Sequence, residues 1–195
     1  MNVLTDRLPK EVEINGKIYE INSDFRTGVK FEIMIDEKKS GSDIVKEALK
    51  LFYPVIPQNI EEAVQKIVWF YCCGQTSKSI GTSGISQRAY SFKHDAGYIY
   101  SAFLQQYGID LQVAELHWWQ FRYLFRSLSE DCLITKIMQY RAAEITSGMS
   151  KSEKERIRKL KRIYALPLSD EEKKRQEDIE KILMGSGDLS KLGGG

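Results

Sequence analysis

At 195 residues, with 42% hydrophobic and 29% charged residues, the chain has the composition of one folded domain, not of a disordered segment. A net charge of +2 is too small to demand a polyanionic partner. No run approaches the roughly 20 apolar residues of a bilayer span, and Met1 to Arg7 lack the basic flank and apolar stretch of a secretory signal, so no membrane partner and a cytoplasmic location are expected.

The first predicted element is a β-hairpin over residues 11–21, where two alternating runs meet at Asn15-Gly16, a pair that tolerates the positive φ angles of a type I′ turn. Val12 and Ile14 share a face either with Ile18 or, in the other register, with Tyr19 and Ile21. Helices then follow one another. Ser23 or Asp24 caps a segment reaching about Lys38, with Phe25, Val29 and Ile33 as its apolar stripe. A break at residues 40–43 introduces a short helix with Ile44, Ala48, Leu49 and Phe52, stopped by Pro54 and Pro57. Asn59 and Glu62 form a capping pattern for a helix carrying Ile60, Ala63, Val64, Ile67, Val68 and Tyr71, ended by Gly74.

Residues 75–90 are glycine- and serine-rich and read as the main loop. Helix resumes near Lys93 and ends at Gly108, an aromatic helix spans about residues 112–128, and Ser129 caps a further helix with Leu133, Ile134, Ile137, Met138 and Tyr140. After Gly148 the chain becomes strongly charged. Residues 151–162 are rich in Lys and Arg, Pro167 interrupts, and Ser169 caps a last helix with Ile179, Ile182 and Leu183 before glycine-rich ends that should fray. The expected architecture is mainly α: a multi-helix bundle with a short N-terminal hairpin over residues 1–148, then a charged helical extension over 149–195.

Chemistry is sparse in this sequence. The three cysteines include the adjacent Cys72 and Cys73 in an apolar run, which cannot form a C-x-x-C knuckle, so buried reduced thiols, no metal site and no cofactor are expected. His117 has no second histidine or cysteine nearby, and Asp95 and Asp110 flank a helix as terminal or capping groups. No nucleophile, base and orienting group fall into a recognisable set, and the expectation is that the chain is not an enzyme.

The densest feature is His117-Trp118-Trp119-Gln120-Phe121-Arg122-Tyr123-Leu124-Phe125. Successive helical residues lie about 100° apart, so these rings cannot share one face. Either the helix is central and buried on two sides, or one face meets the core and the other meets a partner, with Trp118, Phe121, Arg122, Phe125 and Arg126 as candidate contacts. The basic run places Lys154, Arg158, Lys161 and Arg162 on a second candidate face. Its readings, in order, are a solvated face, a docking surface for an acidic protein segment, and nucleic acid, since no interleaved aromatics accompany it.

The blocks Ile21-Asn22-Ser23-Asp24-Phe25-Arg26, Ile67-Val68-Trp69-Phe70-Tyr71, Asp95 to Phe103, Tyr107 to Leu111, Leu116 to Phe121 and Ile137-Met138-Gln139-Tyr140-Arg141 resemble the bacteriophage Gp15 family, in order over about residues 7–165. That resemblance implies a protein of tailed phages and prophages of Gram-positive bacteria, made in the host cytoplasm. It implies a tail assembly chaperone that binds the tape measure protein, the tail tube protein, or both. From their aromatic and cationic character, Trp118, Phe121, Arg122 and Phe125 are expected to supply part of a groove for that partner. Self-association through the hairpin edge or the helices after Ser150 is a further expectation. The alternative is a structural tail or connector subunit kept in the virion. The family supplies no catalytic residues to carry over.

Overall fold

A computed structural model describes residues 2–37, 41–75 and 89–167. The described elements are β1 (Glu11–Ile14), β2 (Lys17–Glu20), α1 (Phe25–Asp36), α2 (Gly41–Phe52), α3 (Ile60–Tyr71), α4 (Ala96–Tyr107), α5 (Trp118–Arg126), α6 (Leu133–Ala142) and α7 (Lys151–Ile163). The architecture is mainly α with one N-terminal antiparallel hairpin. Most of the expected loop at 75–90, and everything expected beyond Pro167, lies outside the described residues.

Asn15 and Gly16 take φ of 49° and 73°, the paired positive values of a type I′ turn. Val12 pairs with Tyr19 and Ile14 with Lys17, which puts Tyr19 and Ile21 on the face of Val12 and Ile14 and leaves Ile18 on the other, 63% exposed. Two strands alone are marginal in water. This pair rests on α3, where the Glu62 carboxylate accepts from the Asn15 backbone N–H at 2.9 Å. The same Glu62 donates its own backbone N–H to the Asn59 side chain at 3.3 Å, so one capping pattern starts α3 and anchors the hairpin.

The stripe expected on α1 is only partly the buried one. Phe25, Thr27, Gly28, Phe31 and Met34 are buried, whereas Val29 and Ile33 are half-exposed, because α1 packs against both α5 and α2. Its closest neighbour is the Trp118 indole: a Cβ on Gly28 would lie 2.2 Å from the ring. No side chain fits there.

The aromatic helix is shorter than the periodicity predicts, and residues 112–117 are not part of it. Arg26 explains why. Its guanidinium donates to the carbonyls of Leu111 at 2.8 Å, Gln112 at 3.1 Å and Ala114 at 3.2 Å. The Leu116 carbonyl accepts from Phe25 N–H, and Trp118 N–H donates to Ser23. Backbone groups that helix 112–128 would have paired internally are thus used by α1 and its entry. The α6 entry also differs: its N-cap is Cys132, and Ser129 accepts from Asp131 N–H one turn earlier.

Asp95 is more than a helix-terminal group. It is 2% exposed and holds Arg141 of α6 in a two-pronged pair at 2.6 and 2.9 Å, while accepting from Ser91 N–H. Arg141 gives two further N–H groups to the Ala89 carbonyl at 3.0 Å and the Tyr164 carbonyl at 2.6 Å. One buried cation therefore ties α4, α6 and the end of α7. The chain divides at Tyr164, giving units Met1–Tyr164 and Ala165–Gly195. The change of composition after Gly148 thus does not mark the boundary, since the Tyr140–Tyr164 ring stack and Arg141 hold α7 to α6.

Two stability predictions follow from these contacts. Gly28→Ala should lower the free energy of unfolding in urea by about 2 kcal/mol, overpacking outweighing a helix-propensity gain of about 1 kcal/mol. Arg141→Met should cost about 3–5 kcal/mol by stranding the Asp95 carboxylate, and adding Asp95→Asn should return part of that loss.

Candidate interaction surfaces

Helix α5 is the centre of the core. Trp118, Trp119, Phe121 and Phe125 are 0%, 1%, 1% and 6% exposed. The Phe121 ring stacks between Phe25 at 4.9 Å and Phe103 at 5.0 Å, and Tyr90 and Phe92 close over Phe125. Both indoles also satisfy polar groups: Trp118 donates to the Tyr71 carbonyl at 2.9 Å and Trp119 to the Phe70 carbonyl at 2.7 Å. Those carbonyls end α3, where Cys73 at φ 56° and Gly74 at φ 76° turn the chain back, donating to Phe70 and Trp69. The expectation that Trp118, Phe121 and Phe125 line a partner face is corrected here. These rings are committed on two sides to intramolecular packing, the other reading of the same sequence.

Arg122 also faces inward. Its guanidinium lies 5.3 Å from the Trp118 ring, donates to the Tyr90 hydroxyl at 3.0 Å and approaches the Glu32 carboxylate at 3.8 Å. Tyr71 donates to the same carboxylate at 2.5 Å. The Arg122 and Glu32 side chains are 15% and 18% exposed, so this is an internal polar joint of α1, α3 and α5 instead of the border of a binding face. Burial alone would depress the Arg122 pKa, but Tyr90, Tyr71 and Glu32 together raise it and keep the cation. Burial pushes the Tyr71 hydroxyl up strongly, with Glu32 adding to it. Of the five α5 candidates, Arg126 alone is exposed.

The second predicted face does reach solvent. Helix α7 buries no residue; Arg158 and Arg162 are exposed, and Lys154 and Lys161 are half-exposed. Lys154 donates to the Ser147 carbonyl at 3.0 Å, and Ser150 with Glu153 forms a reciprocal cap. Sequence reading misses a third surface. Between α1 and α2 lies a groove of about 280 Å³, floored by Ile33, Met34 and Leu51 and rimmed by Lys30, Glu37 and Glu47. Its only sequence signal is that Ile33 and Leu51 sit at the edges of their helices' apolar stripes.

The thiols and His117 are structural. Cys72, Cys73 and Cys132 are free, and burial pushes the first two up from the usual thiol range. His117 caps α5: its Nδ1 accepts from Trp119 N–H at 3.0 Å, so Nε2 carries the proton and donates to the Pro9 carbonyl at 2.8 Å. Burial holds its pKa below the ordinary histidine value, the Pro9 hydrogen bond opposing.

Among the described residues, no helix is long and apolar enough to cross a membrane. The family model described as Bacteriophage Gp15 protein matches residues 4–166, most of the chain. No curated protein and no solved structure matches it.

Because the unfolded chain binds a proton at His117 more readily than the fold does, its contribution is intact above about pH 6.5 and lost as pH falls through the lower folded value. Urea unfolding between pH 8 and 5 should show stability falling below about pH 6.5. His117→Asn, which keeps a capping acceptor, should flatten that fall.

Proposed function

This chain belongs to the Bacteriophage Gp15 protein family, and from that premise we propose that it is a tail assembly chaperone, one that holds the tape measure protein while tail tube subunits are recruited. It acts in the host cytoplasm, by contact and not by covalent chemistry. The observation that carries this reading is the family match over residues 4–166, which covers all the described helices. A tape measure protein is long, helical and apolar in places, and it needs shielding until a tube encloses it.

With the α5 rings in the core, the surface offered to that partner is the groove between α1 and α2. Its floor of Ile33, Met34 and Leu51 has room for one or two apolar side chains, and Lys30, Glu37 and Glu47 border it with charges of both signs. That arrangement suits an amphipathic helix lying in a groove.

The test is co-purification of the chain with the tape measure protein of the same phage or prophage. The wild-type chain should retain it, and Leu51→Glu should weaken binding by about tenfold or more with the circular dichroism spectrum unchanged. Failure of the wild-type chain to retain it removes the reading. Mass spectrometry of purified particles should find the chain absent; a fixed stoichiometric amount there would make it a structural tail or connector subunit instead.

A further inference from the structure

The outer face of the hairpin carries Glu11, Glu13, Ile18 and Glu20, all of them exposed. Glu11 stands directly opposite Glu20. Because the Ile21 N–H donates to the Lys10 carbonyl in the next pair, Glu11 and Glu20 form a non-hydrogen-bonded pair, the kind that brings opposed side chains closest. Like charges so placed destabilise a sheet. Among the described residues none of the three glutamates has an ion-pair partner. Helix α7 is the opposite case. It carries seven cations against two glutamates, one of which, Glu153, is held by the Ser150 cap. Arg156, Lys159 and Ile163, three and four residues apart, form one exposed stripe of it, with Ile163 at 58%. Neither cation of that stripe has an ion-pair partner among the described residues.

We infer that the outer face of the hairpin in one copy docks on the Arg156–Lys159–Ile163 stripe of α7 in a second copy. The hairpin face calls for a cationic occupant with an apolar contact for Ile18, and this chain itself presents one. The spacings agree. From the Glu11–Glu20 row to the row of Ile18 is about 7 Å along the strands, and from Lys159 to Ile163 is about 6 Å along the helix. With Ile18 set against Ile163, Lys159 meets the Glu11–Glu20 pair and cancels the repulsion there, and Arg156 lies one turn beyond it. The two faces do not satisfy each other within one chain. The hairpin rests on α3 and α7 on α6, and no described ion pair joins them. A nucleic acid on α7 would answer only the cations and leave the two glutamates opposed, whereas a second copy answers both faces with one contact.

Sedimentation of the chain alone tests this, independently of any tape measure partner. The wild-type sedimentation coefficient should rise above that of the monomer across the micromolar range. Raising salt from about 0.1 M to about 1 M, which shortens the screening length from about 10 Å to about 3 Å, should return it to monomer. Glu11→Lys with Glu20→Lys, and separately Arg156→Glu with Lys159→Glu, should each weaken association by about tenfold or more with the circular dichroism spectrum unchanged. Mixing these two variants one to one, or placing all four substitutions in one chain, should restore association, because opposite charges then meet again. Lys46→Glu, the same kind of change at an exposed position of α2, should leave it intact. If Glu11→Lys with Glu20→Lys disturbs folding, Glu13→Lys takes its place with the same expected loss. Wild-type chain that stays monomeric at every concentration overturns the inference, and so does association that survives either reversal or that the combined chain fails to restore.

Discussion

The indole of Trp118 lies on the backbone of Gly28, and the arrangement of the helices depends on that approach. Any side chain at position 28 would occupy the ring's place. Because α1 comes so close, Phe25 can stack on Phe121, Asp24 can bridge to His117, and Arg26 can collect the carbonyls of residues 111–114. Trp118 and Trp119 then donate their indole N–H groups to the last carbonyls of α3. The two tryptophans thus bury large apolar area and satisfy a helix end at once, which is why their polar atoms carry no desolvation penalty.

Two inward-facing arginines, Arg141 buried and Arg122 half-buried, do the corresponding work for the rest of the interior. Arg141 has all its partners fixed: a bidentate carboxylate and two backbone carbonyls from separate segments. Arg122 is less completely served, its Nε buried without a hydrogen-bond acceptor while its plane lies against Trp118. Planarity lets a guanidinium bond along its edge and stack on its face, so a cation can sit among rings where a lysine ammonium could not.

With the rings sealed inside, the described surfaces open to solvent include the α1–α2 groove and the basic face of α7. The functional reading comes from family membership and from the chemistry of these faces, while the aromatic density that draws attention in the sequence serves folding.

What the linear chain settled by itself are the features governed by neighbours within a few residues. Asn15-Gly16 specified the hairpin turn, Asn59 with Glu62 the start of α3, Gly108 the left-handed end of α4, and Ser150 with Glu153 the start of α7. The mainly helical class followed from apolar periodicity. What the sequence left open was decided by contacts between residues 46 to 88 positions apart, such as Asp95 with Arg141 and Arg26 with the 111–114 segment. Periodicity counts how many faces of a helix are apolar, but whether a second apolar face meets solvent or another helix depends on where the other helices lie. For α5 that second face met α1, α3 and the turn at Tyr90 and Phe92, so its rings became core.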